Sequence, residues 1–254
     1  MNPRSLALVS LCPILLAACS LGPDQPDGSG TIECTQVRVA PQVGGRLLSL
    51  TPREGDALQE GDLVAQIDPT DYQLRRDEAR AALRAVEADV TRIRHVFEKD
   101  SATRKQMDDA QAAYDLAQAR LALAEKAVAD CTVTAPIGGV VTTRIREEGE
   151  VVGAGDPLIT ISRLDEVWLS VYVPEPHLAR IQLGQPARVR LDGADRLYDG
   201  RVTFISPEAE FTPKNVQTPD ERAKLVYRVK ITLPNPDGVF KPGMPADGFL
   251  GAEP

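Results

Sequence analysis

The chain has 254 residues, 43% of them apolar but only 4% aromatic, and a formal net charge of −8. That length allows one or two ordinary domains, and so few aromatics argue against one large globular core. A negative balance with no basic block speaks against a nucleic-acid surface. The two histidines, His95 and His177, stand apart from any Cys, Asp or Glu at ligand spacing, which speaks against a metal hydrolase or a catalytic triad.

The N-terminus reads as a targeting segment. Arg4 precedes an apolar stretch, Leu6 to Ala18, that is too short for a membrane span and suits a signal h-region. It ends in Leu16-Ala17-Ala18-Cys19, the pattern of a bacterial lipobox. Residues 1–18 are therefore expected to be removed, leaving Cys19 to carry the lipid. A plain signal peptide cut elsewhere is the alternative. Several acyl chains, at roughly 0.8 kcal/mol per buried CH₂, make a stable anchor. Residues 19–31, rich in Pro, Gly and Asp, are predicted to form a lipidated flexible tether.

A repeat follows. Val39–Asp68 carries Gly45, Gly55 and Gly61, spaced 10 and 6 residues apart, and Thr134–Ser162 repeats that spacing with Gly139, Gly149 and Gly155. Two short β units with one turn pattern are predicted to pack as a pseudo-symmetric pair.

Between the copies, Thr70 to Asp130 has no Gly or Pro in 61 residues. Apolar residues fall at Tyr72, Ala79, Leu83, Val86, Val90, Ile93 and Phe97, then at Met107, Ala110, Tyr114, Ala117, Leu121, Ala124 and Val128. Apart from Arg76, the spacing alternates three and four, the mark of a coiled-coil seam. The polar link "EKDSAT" separates the two series, and Thr103 with Gln106 forms a capping box for the second helix. Two antiparallel helices of about 27 residues give a hairpin roughly 40 Å long.

After the second copy, short β runs are predicted at Val167–Val173, Ala187–Leu191, Gly200–Ile205, Leu225–Leu233 and Ala246–Leu250, with Thr31–Val37 as a further strand. Few strands at this spacing point to a small closed β-barrel. Pro174–Leu183 contains a short helical stretch, and Ser206–Lys224 reads as a polar loop. Cys34 and Cys131 read as two buried reduced thiols, with a bridge between them as the alternative an exported compartment allows.

Two half-motifs separated by an α-hairpin resemble the HlyD-type membrane fusion proteins, the periplasmic adaptors of bacterial export machines, over Thr31 to Leu250. Ser206–Leu233 and Lys241–Leu250 look like the branch paired with ABC-type exporters. The resemblance implies an elongated α+β chain: a split lipoyl-like β-sandwich with an inserted antiparallel coiled-coil hairpin, plus a small β-barrel. The expected division is 32–69 for the first lipoyl-like half with the barrel's first strand, 70–130 for the hairpin, 131–163 for the second half and 164–254 for the barrel and C-terminal end.

The hairpin tip carries a second resemblance. Arg92-Ile93-x-x-Val96-x6-Thr103-x3-Met107-Asp108-Asp109-Ala110 is similar to the motif of adaptors that dock on TolC-type outer-membrane ducts. It implies duct docking by Arg92, Val96 and Thr103. Arg92 and Val96, at i and i+4, share one helix face. Read without the motif, Val96 is a flanking core residue, Thr103 a helix cap and Arg92 a solvated charge.

The implied role is non-enzymatic. The implied partners are an inner-membrane exporter, ABC-type in the first reading and a resistance-nodulation-division proton-driven pump in the alternative, and a TolC-type duct. Self-association as a hexameric ring and a membrane reached through the lipid complete the set. No cofactor is expected, because neither repeat copy holds the lysine that true lipoyl and biotinyl domains modify. A structural envelope lipoprotein is the remaining reading. The resemblance places the anchor at the inner membrane, whereas Ser20 after the lipidated cysteine favours the outer one. The chain ends about ten residues after the barrel's Gly243-Met244 turn, which implies no additional membrane-proximal domain.

Overall fold

The computed structural model describes residues 26–194, 196–211 and 225–251; the signal segment 1–18, Cys19 and the tether up to residue 25 lie outside them. The strands in chain order are β1 (Gly28–Val39), β2 (Gly45–Leu50), β3 (Ala57–Leu58), β4 (Leu63–Ile67), β5 (Thr132–Thr134), β6 (Gly139–Arg144) and β7 (Val151–Val152). They continue with β8 (Ile159–Pro174), β9 (Pro186–Leu191), β10 (Leu197–Ile205), β11 (Glu210–Phe211), β12 (Leu225–Pro234) and β13 (Pro245–Phe249). The helices are α1 (Thr70–Phe97), α2 (Arg104–Ala129) and the single turn α3 (Glu175–Leu178).

Six of these strands close a barrel in the order β1-β8-β12-β10-β9-β13, every neighbouring pair antiparallel. Inward residues alternate along each strand: Val167, Leu169, Val171 and Val173 on β8, and Val229, Ile231 and Leu233 on β12, are fully buried. That period of two fills the barrel with β-branched and leucine side chains and leaves no edge on these six strands.

β1 and β8 do not stop at the barrel. They stay paired from Gly30 with Val171 to Val39 with Ile159, with a register shift at Cys34–Thr35 where the ladder passes from barrel to sandwich. The predicted boundary after residue 163 therefore falls inside a single strand. There β6 pairs on β8, and β3 on β6, opposite a four-stranded sheet in the order β5-β4-β2-β7. Leu47, Val64, Ile67, Leu158, Ile159 and Ile161 form the sandwich core.

The repeat is realised as reciprocal pairing. Gly45 faces Val152 across β2 and β7, and Leu58 faces Gly139 across β3 and β6. Gly55 N donates to Val141 O at 2.8 Å, and its counterpart Gly149 N donates to Leu47 O at 2.8 Å. Both glycines have φ near +90° (92° and 89°), a conformation that side chains resist, so each copy turns toward the other at the same point. Each half supplies the hydrogen-bond acceptors for the other half's turns.

Two sequence expectations are corrected. Gly28–Thr31 is strand, not tether, because the composition that suggests flexibility serves close packing: a Cβ on Gly30 would stand 1.8 Å from Ser170 O on β8. The predicted loop Ser206–Lys224 contains β11, paired with Leu225 and Val226; residues 212–224 lie outside the described ones.

Cys34 is buried beside the barrel core and Cys131 in the sandwich core, and both are free thiols. Burial pushes both thiols above the ordinary cysteine range.

Candidate functional site

No group of three or more His, Cys, Asp or Glu is placed to hold a metal ion among the described residues. Clefts of about 260–430 Å³ line the barrel and sandwich walls. The 430 Å³ cleft, for example, lies between Val37–Gln42 and Asp130–Pro136 and mixes apolar residues with Arg38, Gln42, Asp130 and two threonines. What the fold presents is the helix pair that leaves the sandwich between β4 and β5.

Its root is held firmly. Ile67 N donates to Cys131 O at 2.8 Å, which joins the end of β4 to the start of β5. The Tyr72 hydroxyl donates to Gly44 O at 2.7 Å, and Lys126 Nζ reaches Gln42 Oε1 at 3.2 Å. Asp68 precedes α1 and accepts from the hydroxyl and backbone N–H of Thr70, which holds its carboxyl below the usual carboxylate range.

Along the pair, the covered or half-covered apolar positions of α1 are Tyr72, Ala79, Leu83, Val86, Val90 and Ile93, those of the sequence seam except Phe97. On α2 they include Met107, Ala110, Tyr114, Ala117, Leu121, Ala124 and Val128. Arg76, which breaks the apolar series, turns its guanidinium to Asp77 at 2.8 Å and continues the line with its stem. Arg80 reaches Glu125 at 3.0 Å across the pair.

The tip is built as a cap on each side. α1 ends where Ser101 N and Lys99 N donate to Val96 O at 3.0 and 3.2 Å, and Asp100 takes a left-handed φ of 56°. Asp is among the few residues that tolerate this conformation. α2 starts at Thr103, whose hydroxyl accepts from Gln106 N at 3.2 Å while Gln106 Oε1 accepts from Thr103 N at 2.8 Å.

Arg92, Val96 and Thr103 thus lie within the last turns of one tip. Arg92 is 71% exposed and pairs with Asp89 one turn before it. Val96 is 36% exposed and Phe97 beside it 37%, an apolar pair left partly uncovered at the end of a charged rod. Thr103 is committed to the cap, so its hydroxyl already serves the fold. Lys105 donates to Asp109 at 2.6 Å, which raises the lysine above its ordinary value.

Several structural residues escape sequence reading. Asp27 accepts from Leu250 N at 2.7 Å and Gly251 N at 3.1 Å, stitching the first described residues to the last. Asn235 is 4% exposed and bonds Leu164 O, Phe240 O and Phe240 N, closing the barrel's other end. The Asp27 bonds and the Asn235–Leu164 bond join distant segments that no local pattern announces.

The comparisons agree with this architecture. A family model described as "RND MFP, barrel-sandwich hybrid domain" matches residues 35–162, and one described as "CusB-like, beta-barrel domain" matches residues 166–254. A UPF0194 membrane protein, YbhG of Salmonella newport (strain SL254), is 30% identical, with 85% of this chain and 86% of the relative covered. A UPF0194 membrane protein of Yersinia enterocolitica is 28% identical over 320 aligned positions, covering 96% of this chain and 98% of the relative. That alignment is longer than the 254 residues of this chain, so the relative carries inserted residues. A MacA–MexA chimeric protein with the Pseudomonas aeruginosa MexA α-hairpin shares the fold at a TM-score of 0.76 and 23% identity, over 88% of this chain and 78% of the chimera. With hybrid and barrel matched in order, helices inserted between the hybrid halves and a relative at 30% identity over most of both chains, the chain belongs to the RND membrane fusion protein (MFP) family.

Proposed function

We propose that this chain is a lipid-anchored periplasmic adaptor that couples an inner-membrane exporter to a TolC-type outer-membrane duct for efflux or secretion. The observation that carries the reading is the helix pair itself. It is inserted where a carrier domain would present its modified lysine, rooted in the sandwich, and ends in an exposed tip bearing Arg92 and Val96. A cation next to an uncovered apolar knob suits a groove between partner helices. The helix pair acts as a coiled-coil arm, the chain as a non-enzymatic coupling piece, and the copies as a ring. Cys19 carries the lipid and holds the barrel near the inner membrane.

The ABC-type exporter is the favoured partner on the sequence of Ser206–Leu233 and Lys241–Leu250. A resistance-nodulation-division pump is the second reading, favoured by the descriptions of the two matching family models. Copurification of the chain in mild detergent from its native host decides between them: an ATPase with its permease supports the first, a large proton-driven pump the second. Recovery of neither, with unchanged drug accumulation and secretion in a deletion strain, overturns the adaptor reading.

A further inference from the structure

Six turns of this protein share one build. In each, a glycine takes a φ between 85° and 92°, and the side chain after it accepts the backbone N–H three positions before it. Asp56 accepts from Arg53 N in this way, Glu150 from Glu147 N and Gln185 from Gln182 N. The residue before the glycine forms the tip, and the turn places no demand on its side chain. That tip is Glu54, Glu60 or Glu148 at three turns and Ala154 or Pro242 at two. At the remaining one it is Leu183, 68% exposed, and the capping side chain is the neutral Gln185. Nothing in the build calls for a leucine there.

Leu183 stands at the end of the barrel where the chain enters it. Leu178 and Ile181 pack against the barrel core and plug that end, whereas Leu183 turns away from it. Gln185 Nε2 donates to Leu250 O at 2.6 Å, and Leu250 N donates to the Asp27 carboxylate at 2.7 Å. Two hydrogen bonds thus tie the leucine's turn to Asp27, which follows Cys19 by eight residues. Even fully extended, such a segment spans at most about 29 Å. Arg180 and Arg201 are exposed beside the turn, and the Arg201 guanidinium donates to Gly184 O. Glu175 and Glu208, exposed at the same end, are paired with neither arginine.

We propose that this turn is a second membrane contact: Leu183 enters the headgroup region of the leaflet that holds Cys19, with Arg180 and Arg201 against lipid phosphates. The proposal deepens the adaptor reading and rests on its lipid at Cys19.

An apolar knob flanked by cations suits a bilayer surface. The leucine leaves water while the guanidiniums stay with anionic headgroups. One such turn binds a bilayer too weakly to hold a protein alone. The short segment after Cys19 makes the encounter intramolecular, at an effective concentration on the order of millimolar. The lipid fixes the chain to a leaflet but not its orientation. A contact beside Asp27 settles which end of the barrel rests on the membrane. The turn of the same build at Lys241–Met244 lies beside Ile32 on the sandwich side, away from that surface, and carries Pro242 at its tip.

The test uses the full-length chain from its native host, in vesicles of phosphatidylethanolamine and phosphatidylglycerol that hold no other protein. Ala179→Cys, exposed just before the turn, carries a bimane label and leaves Leu183 in place. Glu60→Cys, a tip of the same build on the sandwich, is the control. Cys34 and Cys131 are buried and stay unlabelled. The readout is quenching by lipid with a nitroxide high on its acyl chain, and mass spectrometry of the N-terminal peptide reports the lipid on Cys19. Quenching at 179 is expected to be at least about threefold stronger than at 60. Leu183→Glu, or Arg180→Glu with Arg201→Glu, should bring it to the control level with the circular dichroism spectrum unchanged. Equal quenching at the two sites, quenching undiminished in Leu183→Glu, or quenching that needs an added exporter overturns the proposal. Lipid on Cys19 without quenching counts against the contact alone; no lipid on Cys19 counts against the anchored reading and removes the contact with it.

Discussion

The sandwich and the helix pair use sequence in opposite ways. In the sandwich, Leu47, Val64, Ala65, Ile67, Leu158, Ile159 and Ile161 are fully buried, and the two repeat copies satisfy each other's turn hydrogen bonds. In the two long helices only Val90, Ala110 and Ala117 are buried, although those helices are 28 and 26 residues long. The first region is complete within one chain. The second covers one narrow line and leaves the rest of its surface to water or to partners. Burial is concentrated in the β domains, and the helices are mostly exposed.

Truncation of a sandwich core side chain against truncation of an exposed leucine of α2 is the sharpest way to break this contrast. Ile161→Ala is expected to cost about 2–5 kcal/mol and lower the thermal midpoint of the whole β unit. Leu123→Ala, at 70% exposure, is expected to change monomer stability by no more than about 0.5 kcal/mol. Equal losses in urea unfolding would show that the helix surface is already buried in the isolated chain.

At the tip, Thr103→Ala removes the cap of α2 and is expected to cost about 1 kcal/mol. Hydrogen exchange should then quicken over residues 104–107 while the sandwich strands keep their protection. The exposed Arg80–Glu125 pair contributes less. Arg80→Ala is expected to change stability by about 0–1 kcal/mol, and less in high salt.

The smallest expected effect is at the root. Asp68 has its carboxyl lowered by the Thr70 hydroxyl and N–H, so its contribution is present above the unfolded value and lost as pH falls through the folded one. Exchange at the first turn of α1 should therefore quicken below the usual carboxylate range and not between pH 6 and 8. An Asp68→Asn chain should show no such step.

Much of this division is legible in the sequence, because local patterns carry it. The three-four spacing of α1 and α2, the Thr103–Gln106 capping box and the matched glycines of the two copies all lie within short windows. So do the barrel strands, whose inward positions alternate. What escapes is long-range. Gly28-Ser29-Gly30 reads as tether until the backbone of Ser170 is seen against it. The fusion of two predicted segments into one strand, Ile159–Pro174, depends on β1 running alongside both domains. At the tip, Arg92 and Val96 share an exposed end as their spacing implies, whereas Thr103 is held by its cap and has less left to offer a partner.

The central claim is that this tip docks on an outer-membrane duct, and crosslinking tests it most directly. A photo-crosslinking residue in place of Phe97, 37% exposed beside Val96, should capture a TolC-type duct in the native host's envelope. Adding Arg92→Asp and Val96→Asp should abolish the crosslink while helical content and thermal midpoint stay unchanged. An undiminished crosslink in that folded double variant, or none with the native tip while transport persists, would contradict the account.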